Sequence, residues 1–220
     1  MDAIKIITTE DGSHSLLNET LDETYHSRHG AKQESEYVFI DKGLDFFCKR
    51  NNLKSVSVLE IGFGTGLNAL LTAQKSIAYQ IDITYTSLET DPVPPNIWKT
   101  LNYSLNDLVF ENIHNASWNE WVSISPTFKL FKNQISIQQV VFSDDEFDII
   151  YFDAFAPNKQ PEMWTLEMLE KVYHAMKPNG VFVTYCAKGQ LKRDLKALGM
   201  SVESLPGPPG KREMVRAIKL

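Results

Sequence analysis

From Ser55 onward the chain alternates short apolar runs with stretches of helical spacing. "VSVLEIGFG" is a strand-like run ending in glycines, and "TGLNALLTAQ" after it predicts a helix. "IDITYTSLE" predicts a second strand, and "NIWKTLNYSL", opened by Pro94-Pro95, a second helix. "FDIIYFD" predicts a strand, "TLEMLEKVYHAM" a helix, "GVFVTYC" a strand and "KGQLKRDLKALG" a helix. "MSVESL" and "EMVRAIKL" close the chain as two antiparallel strands. Leu166, Leu169, Val172, Tyr173 and Met176 share one face of their helix, which Lys177-Pro178-Asn179-Gly180 terminates. Leu191, Leu195 and Leu198 do the same in the next helix, leaving Lys192, Arg193 and Lys196 outward. The stretch "SISPTFKLFKNQISIQQVVFSDDE" reads as strands at Phe128 to Phe131 and Ile135 to Val140, joined at Lys132-Asn133.

Ahead of this rhythm, "TTEDGSHSLLN" predicts a hairpin with Asp11-Gly12 at its turn. "EYVFIDKGLDFFCKR" predicts a helix with Val38, Phe39, Phe46 and Phe47 on its inner face. Strands alternating with helices define an α/β fold, a mostly parallel sheet covered on both faces, with an antiparallel strand at its C-terminal end. The expected division is a small N-terminal extension over residues 1–50, packed on a core domain over 51–220.

Composition narrows the picture. The 220 residues are 43% hydrophobic and 23% charged, an ordinary globular balance. A net charge of −6 argues against coating nucleic acid nonspecifically, although a local basic face is compatible with docking an RNA. Cys48 and Cys186 are too few and too far apart for a disulfide framework, and the N-terminal residues lack an apolar signal core. No stretch approaches the length of a membrane span. A cytoplasmic protein is expected.

The loop "EIGFGTGLN" lies between a predicted strand and helix, where open α/β sheets bind ligands. Gly62, Gly64 and Gly66 permit tight turning and close approach. The third glycine comes one residue too early for a dinucleotide fingerprint. Glu60, ahead of the glycines, would repel a pyrophosphate and attract a cationic amino group. The pattern resembles the acid-x-G-x-G-x-G loop of class I S-adenosyl-L-methionine-dependent methyltransferases, which have a Rossmann-like fold. That resemblance implies a cofactor site of Glu60, Gly62, Phe63, Gly64, Thr65, Gly66, Asn68 and Glu89, with Glu89 accepting from the ribose hydroxyls. The acid such enzymes often place after the third core strand is missing, and Gln138, Gln139 or Asp144 is the expected substitute at the adenine.

"DIIYFDAFAPNKQPEMW" ends a predicted strand in one carboxylate, Asp153, among aromatic residues. An amine acceptor arrives mostly protonated, and a partly buried carboxylate is able to bind it, aim it and take its proton. The plainer alternative is that Asp153 caps a turn. "PGPPGKREMVRA" lacks the spacing and the Ser or Thr of a phosphate loop, and reads as a stiff turn presenting Lys211 and Arg212. With Lys188, Lys192, Arg193 and Lys196 they form a candidate basic rim, or simply a solvated face. In "YHSRHG", Tyr25 and His26 are candidates for a lid over the site or for a packed loop anchor. His26 and His29 have no further ligand at a recognisable spacing, so no metal is expected.

Together "EIGFGTGLN", "DAFAPNKQPEMWT" and "GPPGKREMVRA", with "YHSRHGAKQESEYVFI", resemble the methyltransferase domain of the tRNA 5-methylaminomethyl-2-thiouridine biosynthesis proteins. The resemblance runs from about Tyr25 to the end. It implies methyl transfer to the aminomethyl nitrogen of the tRNA wobble uridine, with Asp153 needed for activity. It also implies a substrate site drawn from Tyr25, His26, Phe155, Pro157, Trp164, Lys211 and Arg212. Relatives often carry a fused flavin-dependent oxidase. This chain matches the stand-alone form, so a separate enzyme is expected to supply the aminomethyl precursor. The competing readings are a class I methyltransferase of small amines and a catalytically silent RNA-binding module; a nicotinamide enzyme fits the loop worst.

Overall fold

The computed structural model of the chain describes residues 4–51, 53–103 and 108–220. Strands β1 (Ile4–Thr8), β2 (His14–Asn18) and β3 (Glu23–Thr24) form a small antiparallel sheet. The β1–β2 turn follows its Asp-Gly signal: Gly12 takes a positive φ of 82°, and its N–H donates to the Thr9 carbonyl. A continuous helical run follows as α1 (Ala31–Ser35), a π-helical segment (Glu36–Asp45) and α2 (Phe46–Arg50).

The remaining elements are β4 (Ser55–Ile61), α3 (Leu67–Tyr79), β5 (Asp82–Leu88), α4 (Pro95–Trp98), α5 (Leu108–Asn115), β6 (Trp121–Ser125) and β7 (Phe128–Asn133). They continue as β8 (Phe147–Phe152), α6 (Leu166–Ala175), β9 (Met176–Thr184), α7 (Gly189–Ala197), β10 (Met200–Pro206) and β11 (Glu213–Lys219). The larger sheet has the order β10-β11-β9-β8-β4-β5-β7-β6. Its centre, from β9 to β7, is parallel, and both margins are antiparallel. From β4 the chain builds outward to β5 and β7, then crosses back to β8 on the other side. That reversal opens a crevice at the carboxyl ends of β4 and β8.

Alternate residues of β4 serve the two faces. Val56 and Val58 pack with α3 and the N-terminal helical run, while Leu59 and Ile61 pack in the cluster that holds α6 and α7 residues. β8 is buried along its whole length, as a central parallel strand covered on both sides must be.

Several expectations need correction. The predicted helix at 96–105 is only the short α4, with Lys99–Tyr103 non-helical and residues 104–105 outside the described ones. The apolar run Ile135 to Val140 is a turn, with the N–H groups of Gln139 and Val140 both on the Ser136 carbonyl. Lys171 of α6 holds that turn through the carbonyls of Ile137, Gln138 and Val140. Lys132 and Asn133 end β7 rather than forming a connection, and β6 pairs with β7 where no strand was expected. α6 ends at Ala175, so Met176 to Gly180 already belong to β9, and Leu166 is exposed.

The helical run is part of the core. Phe39 is buried, with its ring 5.2 Å from that of Tyr151 on β8, and the Tyr37 hydroxyl donates to the Pro206 carbonyl. Phe39→Ala is therefore expected to cost about 3–5 kcal/mol in denaturant unfolding. A loss below about 1 kcal/mol would show that this segment is dispensable to the core.

Candidate active site

Three strand ends meet at the crevice. Gly62 and Phe63 donate their N–H groups to the Leu88 carbonyl at the end of β5, and the Asp153 N–H donates to the Ile61 carbonyl of β4. Gly62 has a φ of 93°, and a side chain there would place its Cβ 2.8 Å from the Asp153 carbonyl oxygen. Only glycine permits this approach. The Glu89 carboxylate accepts from the Gly64 N–H at 3.0 Å and from the N–H groups of Thr90 and Asp91 at 2.8 and 3.0 Å. It thus holds the glycine loop on β5 while lining the cavity.

That cavity has a volume of about 420 Å³. Of the sequence-predicted cofactor residues, Gly62, Phe63, Gly64, Thr65, Asn68 and Glu89 line it; Glu60 and Gly66 do not. Glu60 lies fully buried behind the loop, where one carboxylate oxygen accepts from Ser87 Oγ at 2.6 Å. Burial pushes its pKa up to about 8. This placement gives no support to a direct contact between Glu60 and a cofactor ammonium. Of the adenine candidates, Gln138 lines the cavity, in the turn held by Lys171; Gln139 and Asp144 do not.

Asp153 lines the same cavity, half-buried, and Asn68 Nδ2 donates to its Oδ2 at 2.8 Å. Asn68, placed on the cofactor from the sequence, thus aims the acid. Burial holds the Asp153 pKa well above the usual carboxylate range; Glu34 and Glu60 push it the same way, and Asn68 and Lys211 oppose them. The loop after Asp153 is pinned by its aromatic neighbours. Tyr185 Oη donates to the Ala154 carbonyl at 2.8 Å and Trp164 Nε1 to the Phe155 carbonyl at 2.8 Å. Trp164 and Pro157 do not line the cavity, so Trp164 acts on the loop's shape from behind. Phe155 does line it, edge-on to Tyr25 with ring centroids 5.0 Å apart.

Lys211 does not join an outward rim. The turn after Pro206 folds back on itself, with Gly207 N–H on the Arg212 carbonyl and Lys211 N–H on the Pro208 carbonyl. Its side chain enters the cavity and ends 2.5 Å from Glu34 Oε1 and 3.8 Å above the Tyr185 ring centre. Arg212 stays exposed and outside the cavity lining. Among the helix cations, Lys192 is paired with Glu213 and Arg193 donates to Gln190.

Sequence reasoning missed Glu34, which resembles any acid in a first helical turn. It also missed Tyr185, although its place at the end of β9 matches that of Asp153 at the end of β8. Two histidines support the loop from below. His114 Nε2 donates to the Thr65 carbonyl at 3.0 Å and its ring stacks on Trp98. His26, buried beside Ser15 and Thr65, is also in the cavity lining.

The carboxylates of Glu89, Asp153 and Glu34 face a cavity whose lining includes the half-buried cation Lys211, itself already paired. A pyrophosphate would find repulsion there, whereas a cationic, phosphate-free cofactor fits. Fold and cavity together define a class I S-adenosyl-L-methionine-dependent methyltransferase. The chain belongs to a family of S-adenosyl-L-methionine-dependent methyltransferases, whose model matches residues 110–220.

The chain is also similar to the tRNA 5-methylaminomethyl-2-thiouridine biosynthesis bifunctional protein MnmC of Leptospira interrogans, at 29% identity over 90% of this chain and 33% of that protein. The MnmC of Nitrosospira multiformis is 26% identical over 91% of this chain and 35% of that protein. The chain therefore spans about a third of the length of these curated relatives. The crystal structure of MNMC2 from Aquifex aeolicus shares the fold, with a TM-score of 0.77 and 24% identity over 99% of this chain and 70% of that one.

Burial holds both loop histidines down at about 4, against an ordinary value of 6.5. The unfolded chain takes up their protons below about 6.5 while the folded protein refuses them. Their contribution to stability is thus present above that pH and lost as the pH falls towards about 4, on the order of 7 kcal/mol at most for the pair. Carboxylates with raised values act with the opposite sign, so the comparison must be with a variant. His114→Gln, which keeps a donor for Thr65, is expected to show a shallower fall in melting temperature between pH 7 and pH 4.5. Parallel curves for the two proteins would contradict this.

Proposed function

We propose that the protein transfers a methyl group from S-adenosyl-L-methionine to the aminomethyl nitrogen of 5-aminomethyl-2-thiouridine at the tRNA wobble position, giving 5-methylaminomethyl-2-thiouridine. The observation that carries this reading is Asp153, held by Asn68 in the same cavity as the glycine loop. The names of the relatives point to the same modified nucleoside.

The cofactor would be held by the glycine loop, Glu89 and the turn at Gln138, and when bound supplies a sulfonium methyl. The residues of the chain do the rest. Asp153 binds the incoming ammonium, aims its nitrogen and takes one proton, which frees the lone pair that must attack in line. Burial raises its proton affinity, which makes it a stronger base than an exposed carboxylate. Phe155 and Tyr25 supply aromatic faces beside the cation, and the pinned loop keeps the acid from drifting. In this reading a separate enzyme makes the aminomethyl precursor, and exposed cations such as Arg212 meet the RNA.

Two experiments test the proposal. Incubation with labelled S-adenosyl-L-methionine and tRNA bearing 5-aminomethyl-2-thiouridine, followed by nucleoside analysis, is expected to put the label on that nucleoside; label only on small amines would refute the tRNA reading. Asp153→Asn is expected to keep cofactor affinity close to wild type and to lower turnover about 100-fold or more. Near-normal turnover would remove Asp153 from the chemistry.

A further inference from the structure

The Glu34–Lys211 pair lies in the cavity rather than on the surface. Glu34 is buried, with Oε2 accepting from the Ser27 N–H at 2.6 Å and Oε1 2.5 Å from Lys211 Nζ. The Lys211 ammonium also sits over the Tyr185 ring, and the Tyr185 hydroxyl holds the carbonyl next to Asp153. Three distant parts of the chain thus converge beside one acid: α1, the β10–β11 turn and the end of β9. A surface ion pair contributes little and needs no such support. A pair taken out of water is worth keeping only where it is well braced, and breaking one partner leaves an uncompensated charge.

We propose that Glu34 and Lys211 are positioning residues of the methyl-transfer site: their braced ion pair fixes the charge that Asp153 meets, and so keeps Asp153 the group that takes the acceptor's proton. This rests on the reading of the acceptor as an amine. The pair is neutral as a unit, so Asp153 and the incoming ammonium balance each other. The proton step breaks an N–H bond and forms an O–H bond on Asp153, leaving a neutral amine and a neutral acid beside an unchanged pair. The nitrogen lone pair then forms the new N–C bond as the methyl–sulfur bond breaks, with its electrons left on sulfur. Without Lys211, Glu34 confronts Asp153 as a second bare carboxylate. Without Glu34, Lys211 competes with the substrate for Asp153.

The other groups facing Asp153 stay constant across the test. They are Glu60 from β4, Tyr85 from β5, Tyr185 from β9, and the cavity acids Glu23, Glu89 and Glu162. Tyr25 and His26 complete the set of titratable side chains in that lining.

The decisive measurement is a carbon NMR titration of the Asp153 carboxyl in aspartate-labelled protein, the signal being identified by its loss in Asp153→Asn. Lys211→Met is expected to raise the midpoint and Glu34→Gln, which keeps an acceptor for Ser27, to lower it. The double variant should return it towards wild type. The acid limb of the pH–rate profile for the aminomethyl tRNA should move in the same order, so that the two single variants differ about tenfold in rate at a pH on that limb. A merely structural pair would lower the plateau and leave the limb in place. Midpoints and limbs that stay at the wild-type position, or move together in one direction, overturn this inference while an active wild-type enzyme leaves the functional reading intact. A wild-type enzyme that fails to methylate the aminomethyl tRNA overturns the reading itself, and the amine with it.

Discussion

The site depends on how closely two backbones approach. Gly62 and Asp153 belong to segments far apart in sequence, yet any side chain at Gly62 would strike the Asp153 carbonyl. The Asp153 N–H is bonded to Ile61, the residue before that glycine. The parallel pairing of β4 with β8 therefore delivers the glycine loop and the acid to one point. Asn68, in the first turn of the helix that the glycine loop opens, then fixes the carboxylate. Loop, helix and acid form one unit, and moving any member displaces the others.

Around that unit a set of polar interactions holds the backbone in place. Glu89 holds the loop from the β5 side, His114 from below, and Tyr185 and Trp164 hold the loop after Asp153. Such pre-organisation is what in-line displacement requires, since a small misplacement of the attacking atom is costly. It also explains why so many titratable groups here lie outside their ordinary range. A dry, crowded crevice disfavours charge, and only paired or braced groups keep it.

The sheet was legible from sequence because its strands are short apolar runs flanked by helical spacing, and β8 in particular has no exposed face. The glycine loop and Asp153 were legible because both sit at strand ends, where such folds keep their chemistry. The failures have physical causes. Ile135 to Val140 has the composition of a strand, but the Ser136 carbonyl and the Lys171 ammonium turn it back on itself, and only tertiary contact reveals this. Lys211 has the residue type of a surface rim, and its inward course depends on the folding back of a turn and on a buried partner 177 positions away in sequence (211 − 34). Glu60 reads as a ligand-facing acid because of its spacing to the glycines, whereas the alternation of β4 turns it towards Ser87. Trp164 reads as a substrate contact and instead supports the loop.

Central to the proposed function is that one cavity, lined by the glycine loop and Asp153, would hold both the cofactor's sulfonium and the acceptor. A crystal structure with bound S-adenosylhomocysteine tests this most directly. The ribose hydroxyls are expected on Glu89, the sulfur over the glycine loop, and the Asp153 carboxylate open to the remaining space on the sulfur's far side. A ligand whose adenine or ribose covers Asp153, or one bound outside this cavity, would contradict it.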